Sequence, residues 1–162
     1  MDSAADRVLT CVPQARGSRK KPSFWKPYID LLPQELSNPF MWSEAELMLL
    51  EGSDVADAAR QEKRRLRAEY DQLRSHVFTH DRKTFPKEAF SLKKWMWACA
   101  LYDSRVIQLN RQNQQGNTPT WIPLIDMVNC IESQDKTFIK YDSGLKAAVM
   151  YADRNTASGA QV

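Results

Sequence analysis

Apolar positions along the first two thirds of the chain recur at helical spacing, and those of the last third alternate or cluster in short runs. The stretch SFWKPYIDLLP is dense in aromatic and leucine residues with prolines near both ends, which predicts a short helix that packs on the core and stops before Pro33. Ser43 followed three residues later by Glu46 is a capping-box pair, and Gly52 just past ELMLLE is a stop signal. From Val55 a longer helix is expected, with Val55, Ala59, Leu66, Tyr70, Leu73 and Val77 on one face and solvated mixed charge (RQEKRR) on the other. After the loop THDRKTFPKEAF, Ser91 caps a third amphipathic helix whose stripe is Leu92, Trp95, Met96, Cys99, Tyr102 and Val106.

Beyond Asp103-Ser104-Arg105 the pattern changes. NRQNQQGNTPT is too polar to be buried and predicts a loop. It leads into WIPLIDMVNC, a mostly apolar run of the kind that fills a core. TFIKYD and LKAAVMYA are β-prone and separated by Ser143-Gly144, a hairpin signal, and ADRNTASGAQV predicts a turn and the beginning of another strand. Helical first and strand-like last is an α+β pattern, without internal repeats.

Composition adds boundaries. The 162 residues are the size of one domain, and 43% hydrophobic with 27% charged residues is ordinary for a globular chain. The net charge of +3 is small, and the cluster from Arg16 to Lys21 accounts for it, so no nucleic-acid footprint is indicated. Residues 1–22 read as a disordered tail. Three widely spaced cysteines, Cys11, Cys99 and Cys130, point to a reducing intracellular compartment (cytoplasm, nucleus or organelle) and argue against a disulfide framework or a zinc site. No apolar run reaches membrane-spanning length, and the start lacks a secretory signal, so neither a membrane nor a nucleic acid is an expected partner.

Little in the chain is chemically distinctive. His76 and His80 are four apart on a helix, but no third ligand accompanies them, and they are expected to be ordinary helix-end histidines rather than a metal pair. GxSxG, CxxC and glycine-rich phosphate loops are missing from the sequence. Asp126 and Asn129 are the best polar candidates, because apolar neighbours would keep water away; they either tie down a turn or hold a ligand. Arg105, by its place, is a helix C-terminal cation facing the dipole.

PLIDMVNC resembles the proline-leucine-x-aspartate-hydrophobic-x-asparagine-histidine motif of SET-domain protein methyltransferases. The similarity is greatest to the subgroup of Rubisco large-subunit lysine methyltransferases and actin-histidine methyltransferase. FWKPYIDLLP and NPFMWSEAELMLLEGSD resemble the lead into that subgroup's helical insertion, WMWACALYDSRVI its helix ending in a serine-arginine pair, and AAVMYADRNTASGAQV its strand and turn. Together they cover about residues 23–162 in the family's order, with about 23–107 as the helical insertion and 121–162 as the motif-bearing strand region. The resemblance implies a partial SET domain that transfers a methyl group from S-adenosylmethionine to a lysine, or a histidine, of a protein substrate. It implies that Asn129 hydrogen-bonds the cofactor, that Arg105 meets its carboxylate with a forked guanidinium, and that Asp126 braces the same corner.

The chain departs from the family pattern in ways that bear on this expectation. Cys130 stands where the motif has histidine, and a thiol is a poor donor, so one cofactor contact is expected to be weakened. Nothing in residues 1–22 resembles the family's glycine-containing strand, and the chain reaches Val162 before the place of its channel tyrosine. These residues alone are therefore expected to be weakly active or inactive. The alternative is a non-catalytic interaction module derived from a SET domain.

Overall fold

The computed structural model describes residues 24–110, 117–128, 139–151 and 157–158. Helices come first and short strands last, the α+β order expected from the sequence. The chain divides into a helical unit up to Ser104 and a strand unit from Arg105. The tail at 1–22 and nearly all of the strand foreseen after Tyr151 lie outside the described residues.

The helical unit begins with α1, Lys26–Leu31, which has a proline in its first turn and gives way to extended backbone at Leu32, just before Pro33. A 3₁₀ turn at Pro39–Met41 follows, with the Asn38 side chain accepting from the Phe40 amide. Helix α2, Glu44–Met48, has the expected capping box: Ser43 Oγ accepts from the Glu46 amide at 3.3 Å, and Glu46 Oε2 accepts from the Ser43 amide at 2.7 Å. Gly52 ends the following turns at φ +84°, a left-handed conformation that glycine adopts without a Cβ penalty.

The cap has a titratable signature. The Ser43 backbone and then its side chain hydrogen-bond the Glu46 carboxylate and hold its pKa below the ordinary 4.5. Because the folded value is the lower one, the cap's contribution is complete above about pH 4.5 and is lost as pH falls through the folded pKa. An NMR titration of Glu46 is expected to give a midpoint below 4.5 that Ser43→Ala moves back toward 4.5. A midpoint indifferent to that substitution would refute the cap as its cause.

Helix α3, Asp54–Leu73, passes directly into a π-helical turn, Arg74–Phe78. Its buried residues are Ala56, Ala59, Leu66 and Tyr70, whereas the expected Val55 and Val77 are exposed. The π turn explains the second difference. The Thr79 amide donates to the Arg74 carbonyl, five residues back, at 3.1 Å, so the wider turn rotates Phe78 inward in place of Val77. Phe78 then stacks in a cluster, its ring centroid 5.3 Å from Phe85, 5.2 Å from Phe90 and 6.2 Å from Tyr70. Part of the charged face is also structural: Arg60 bonds Glu44 at 3.2 Å and Glu51 at 3.0 Å, and Lys63 Nζ donates to the Trp42 carbonyl at 2.6 Å. Arg65 pairs closely with Glu62 and Glu69, which raises its pKa further above the usual range.

Helix α4, Leu92–Arg105, starts where expected, with Ser91 Oγ accepting from the Lys94 amide at 3.4 Å. It carries no single stripe. Every residue from Trp97 to Tyr102 is buried, while Leu92, Met96 and Val106 are only half-buried. Such all-round burial marks the central helix of a unit. Its tryptophans have partners: Trp95 Nε1 donates to the Leu66 carbonyl at 3.0 Å, and Trp97 Nε1 to the Pro33 carbonyl at 2.9 Å.

Among the described residues the strand unit holds two antiparallel pairs. Strands β1, Ile107–Asn110, and β2, Asn117–Thr120, pair from Ile107↔Thr120 to Asn110↔Asn117. This corrects the expected loop, since Asn117–Thr120 is strand. β-branched Thr118 and Thr120 suit the pleat, and Pro119 is tolerated because a two-stranded ribbon consists of edges. Strands β3, Ile139–Asp142, and β4, Ala147–Met150, form the foreseen hairpin. Asp142 Oδ1 accepts from the Gly144 and Leu145 amides at 2.9 Å, an Asx turn. The left-handed position is Lys146, at φ 51°, rather than Gly144.

Candidate functional site

In WIPLIDMVNC the described residues 121–128 are all half-buried or exposed, so the run does not fill a core as expected. The chain turns at Pro123-Leu124 into a 3₁₀ turn, Ile125–Met127. The Asp126 amide donates to the Ile122 carbonyl at 3.1 Å, and the Met127 amide to the Leu124 carbonyl at 3.2 Å. Leu124 takes φ 75° and leaves 62% of its surface exposed, a strained backbone that costs about 1–3 kcal/mol for a branched side chain. The Asp126 side chain is only 1% exposed. The usual order is inverted here: the leucine points out and the carboxylate is enclosed.

Arg105 accounts for the inversion. It is the last residue of α4, and its Nη1 donates to Asp126 Oδ2 at 2.9 Å and to the Asp126 carbonyl at 3.3 Å. The same nitrogen lies 3.2 Å from Met127 Sδ. Trp121 Nε1 donates to Asp126 Oδ2 from the other side at 3.1 Å. The Arg105 side chain is 17% exposed, so the ion pair is largely withdrawn from solvent. All of Arg105's described hydrogen bonds leave from Nη1, which keeps the rest of its fork for other acceptors.

Two of the four expected site residues, Arg105 and Asp126, are thus brought together by a direct hydrogen bond. Asn129 and Cys130 lie outside the described residues. Trp121 and Met127 were not singled out by the sequence, although both stand in the same run. The available signal was an indole N–H, which seeks an acceptor when enclosed, five residues before the Asp. His76 and His80 are both exposed, and His76 Nδ1 lies 2.9 Å from the Gln72 carbonyl. Among the described residues no group of His, Cys, Asp or Glu is arranged to hold a metal ion, and no helix is long and apolar enough to cross a membrane.

No protein-family model matches the chain. It is 26% identical over 133 residues to the chloroplastic [fructose-bisphosphate aldolase]-lysine N-methyltransferase of Arabidopsis thaliana, covering 80% of this chain and 27% of that protein. It is 27% identical to the chloroplastic ribulose-1,5 bisphosphate carboxylase/oxygenase large subunit N-methyltransferase of Pisum sativum, covering 70% of this chain and 22% of the relative. To the actin-histidine N-methyltransferase of Mus musculus it is 31% identical, over 66% of this chain and 18% of that one. The chain therefore spans about a quarter or less of the length of these relatives. In fold it is similar to the SET domain of LSMT, in a crystal structure with lysine and AdoHcy bound, at a TM-score of 0.71 and 23% identity over 86% of this chain and 30% of that one.

Proposed function

We propose that this chain, part of a SET domain akin to the lysine and histidine N-methyltransferases, supplies the cofactor corner of an S-adenosylmethionine-dependent protein N-methyltransferase. The observation that carries this is the Arg105–Asp126 pair, in which the serine-arginine helix end and the PLIDMVNC motif meet on a SET-like fold.

The donor set fits a cofactor that carries a carboxylate. Arg105 is partly exposed and, among the described residues, engaged through one nitrogen, so its remaining N–H groups suit a carboxylate. Asp126 is too enclosed to touch a ligand; it is a positioning residue that fixes the guanidinium plane. Asn129 and Cys130, next along the motif, complete the proposed corner through an amide and a weak thiol donor. S-adenosylmethionine bound there supplies an electrophilic methyl group. The proposed acceptor is a protein lysine, with histidine as the variant that the actin-directed relative uses.

Calorimetry of the intact protein with S-adenosylhomocysteine tests the proposal. A charge-assisted hydrogen bond is worth about 1.5–3 kcal/mol, so Arg105→Met is expected to weaken binding roughly 10- to 150-fold. Asn129→Ala is expected to weaken it about 10-fold, and Cys130→His to strengthen it. A folded protein that binds no S-adenosylhomocysteine, or one whose affinity ignores both Arg105→Met and Asn129→Ala, would overturn the assignment. The first outcome would favour an interaction module derived from a SET domain.

A further inference from the structure

The π turn at the end of α3 opens a second feature, in the helical unit and independent of the proposed methyl-transfer site. A cavity of about 170 Å³ lies there, with Tyr70, Phe78 and Phe85 among its walls and Arg74, Arg82 and Lys87 around it. Its lining includes no Asp or Glu. Arg60, Lys63 and Arg65 on the same helix are all ion-paired, but Arg74, Arg82 and Lys87 have no ion-pair partner among the described residues. Asp81, beside Arg82 in sequence, is not among the lining residues; its carboxylate accepts from the Thr84 amide at 3.0 Å.

A helix C-terminus ordinarily repels an anion through its exposed carbonyls. Here the Arg74, Ser75 and Val77 carbonyls are already used. The Arg74 carbonyl accepts from the Thr79 amide, the Thr79 hydroxyl shares its one proton between the Arg74 and Ser75 carbonyls, and the Val77 carbonyl accepts from the His80 amide at 3.1 Å. Against that background, three exposed basic residues, Arg74, Arg82 and Lys87, lining one small cavity favour a compact, multiply charged oxyanion over a single carboxylate. At about 30 Å³ per water the volume of about 170 Å³ holds roughly six waters, room for a phosphate group and a short stem. By contrast, the larger groove of about 840 Å³ in the same unit is lined by Glu35 and Glu46 as well as Lys93 and Lys94, and shows no preference of sign.

We propose that the cavity at the π turn is a binding site for a phosphate-class dianion. The test is an NMR titration of the full chain with inorganic phosphate at constant ionic strength. Saturable shifts are expected, confined to amides within 74–90. Arg74→Gln/Arg82→Gln is expected to weaken binding at least 10-fold, whereas Arg64→Gln/Arg67→Gln, which removes the same charge from exposed positions elsewhere on α3, should change it less than 2-fold. Equal weakening by the two variants, shifts that never saturate, or glutarate binding as tightly as phosphate would each overturn the proposal. Phenyl phosphate and O-phosphoserine then separate the sources: tighter binding than inorganic phosphate assigns the site to a phosphomonoester on a carrier, equal binding to free phosphate, and either supports the site.

Discussion

Asp126→Ala is expected to destabilise the strand unit by about 3 kcal/mol, out of proportion to the few atoms removed. The substitution strips Arg105, whose side chain is only 17% exposed, of the Asp126 carboxylate, and it also removes the oxygen to which the Trp121 indole N–H donates. A desolvated charge left without a counter-charge is far costlier than a surface ion pair lost, where the effect is about 0–1 kcal/mol. Asp126→Asn should lie between, since it keeps the shape and one acceptor oxygen but not the charge. The double variant Arg105→Met/Asp126→Leu should recover most of the loss, because removing both charges removes the desolvation cost as well. Hydrogen exchange of amides within 121–128, compared across these variants, measures the effect. Single and double variants of equal stability would show that the pair behaves as an exposed one. The same double variant should still lose S-adenosylhomocysteine binding, which separates the pair's structural role from the proposed one.

What the sequence disclosed and what it withheld follow from the range of the interactions involved. The Ser43–Glu46 cap, the helix stop before Pro33 and the β3–β4 hairpin are legible because each depends on residues within a few positions of one another. The exchange of Val77 for Phe78 at the core is not legible, since periodicity assumes one helical pitch and the π turn changes it for a single turn. The strand at Asn117–Thr120 was hidden for another reason: its own residues are polar, and its partner Ile107–Asn110 supplies the pairing. Within PLIDMVNC the described residues 123–128 show the reverse of the burial their local pattern suggests, with Leu124 exposed and the Asp126 side chain enclosed. An aspartate is enclosed when a cation elsewhere in the chain meets it, and that fact is not contained in the local run.

Helix α4 gives the second large effect. An amphipathic stripe of Leu92, Trp95, Met96, Cys99, Tyr102 and Val106 would place Leu101 on the solvated side, where truncation costs little. The structure leaves Leu101 with 0% exposure, beside Ala98, Cys99 and Ala100, which are buried as well. With Ala98, Cys99 and Ala100 out of solvent on the same turn, Leu101 sits in a close-packed surrounding. Leu101→Ala is therefore expected to cost about 2–5 kcal/mol, the transfer free energy of the lost methyl groups plus the cavity left in a close-packed surrounding. Leu92→Ala, at a half-buried position on the expected stripe, should cost less than about 1.5 kcal/mol, as only part of its apolar surface leaves water on folding. Denaturant unfolding of both variants decides between the stripe and the central helix. A Leu101→Ala protein as stable as the parent, with Leu92→Ala the more damaging, would restore the stripe and remove α4 from the middle of its unit.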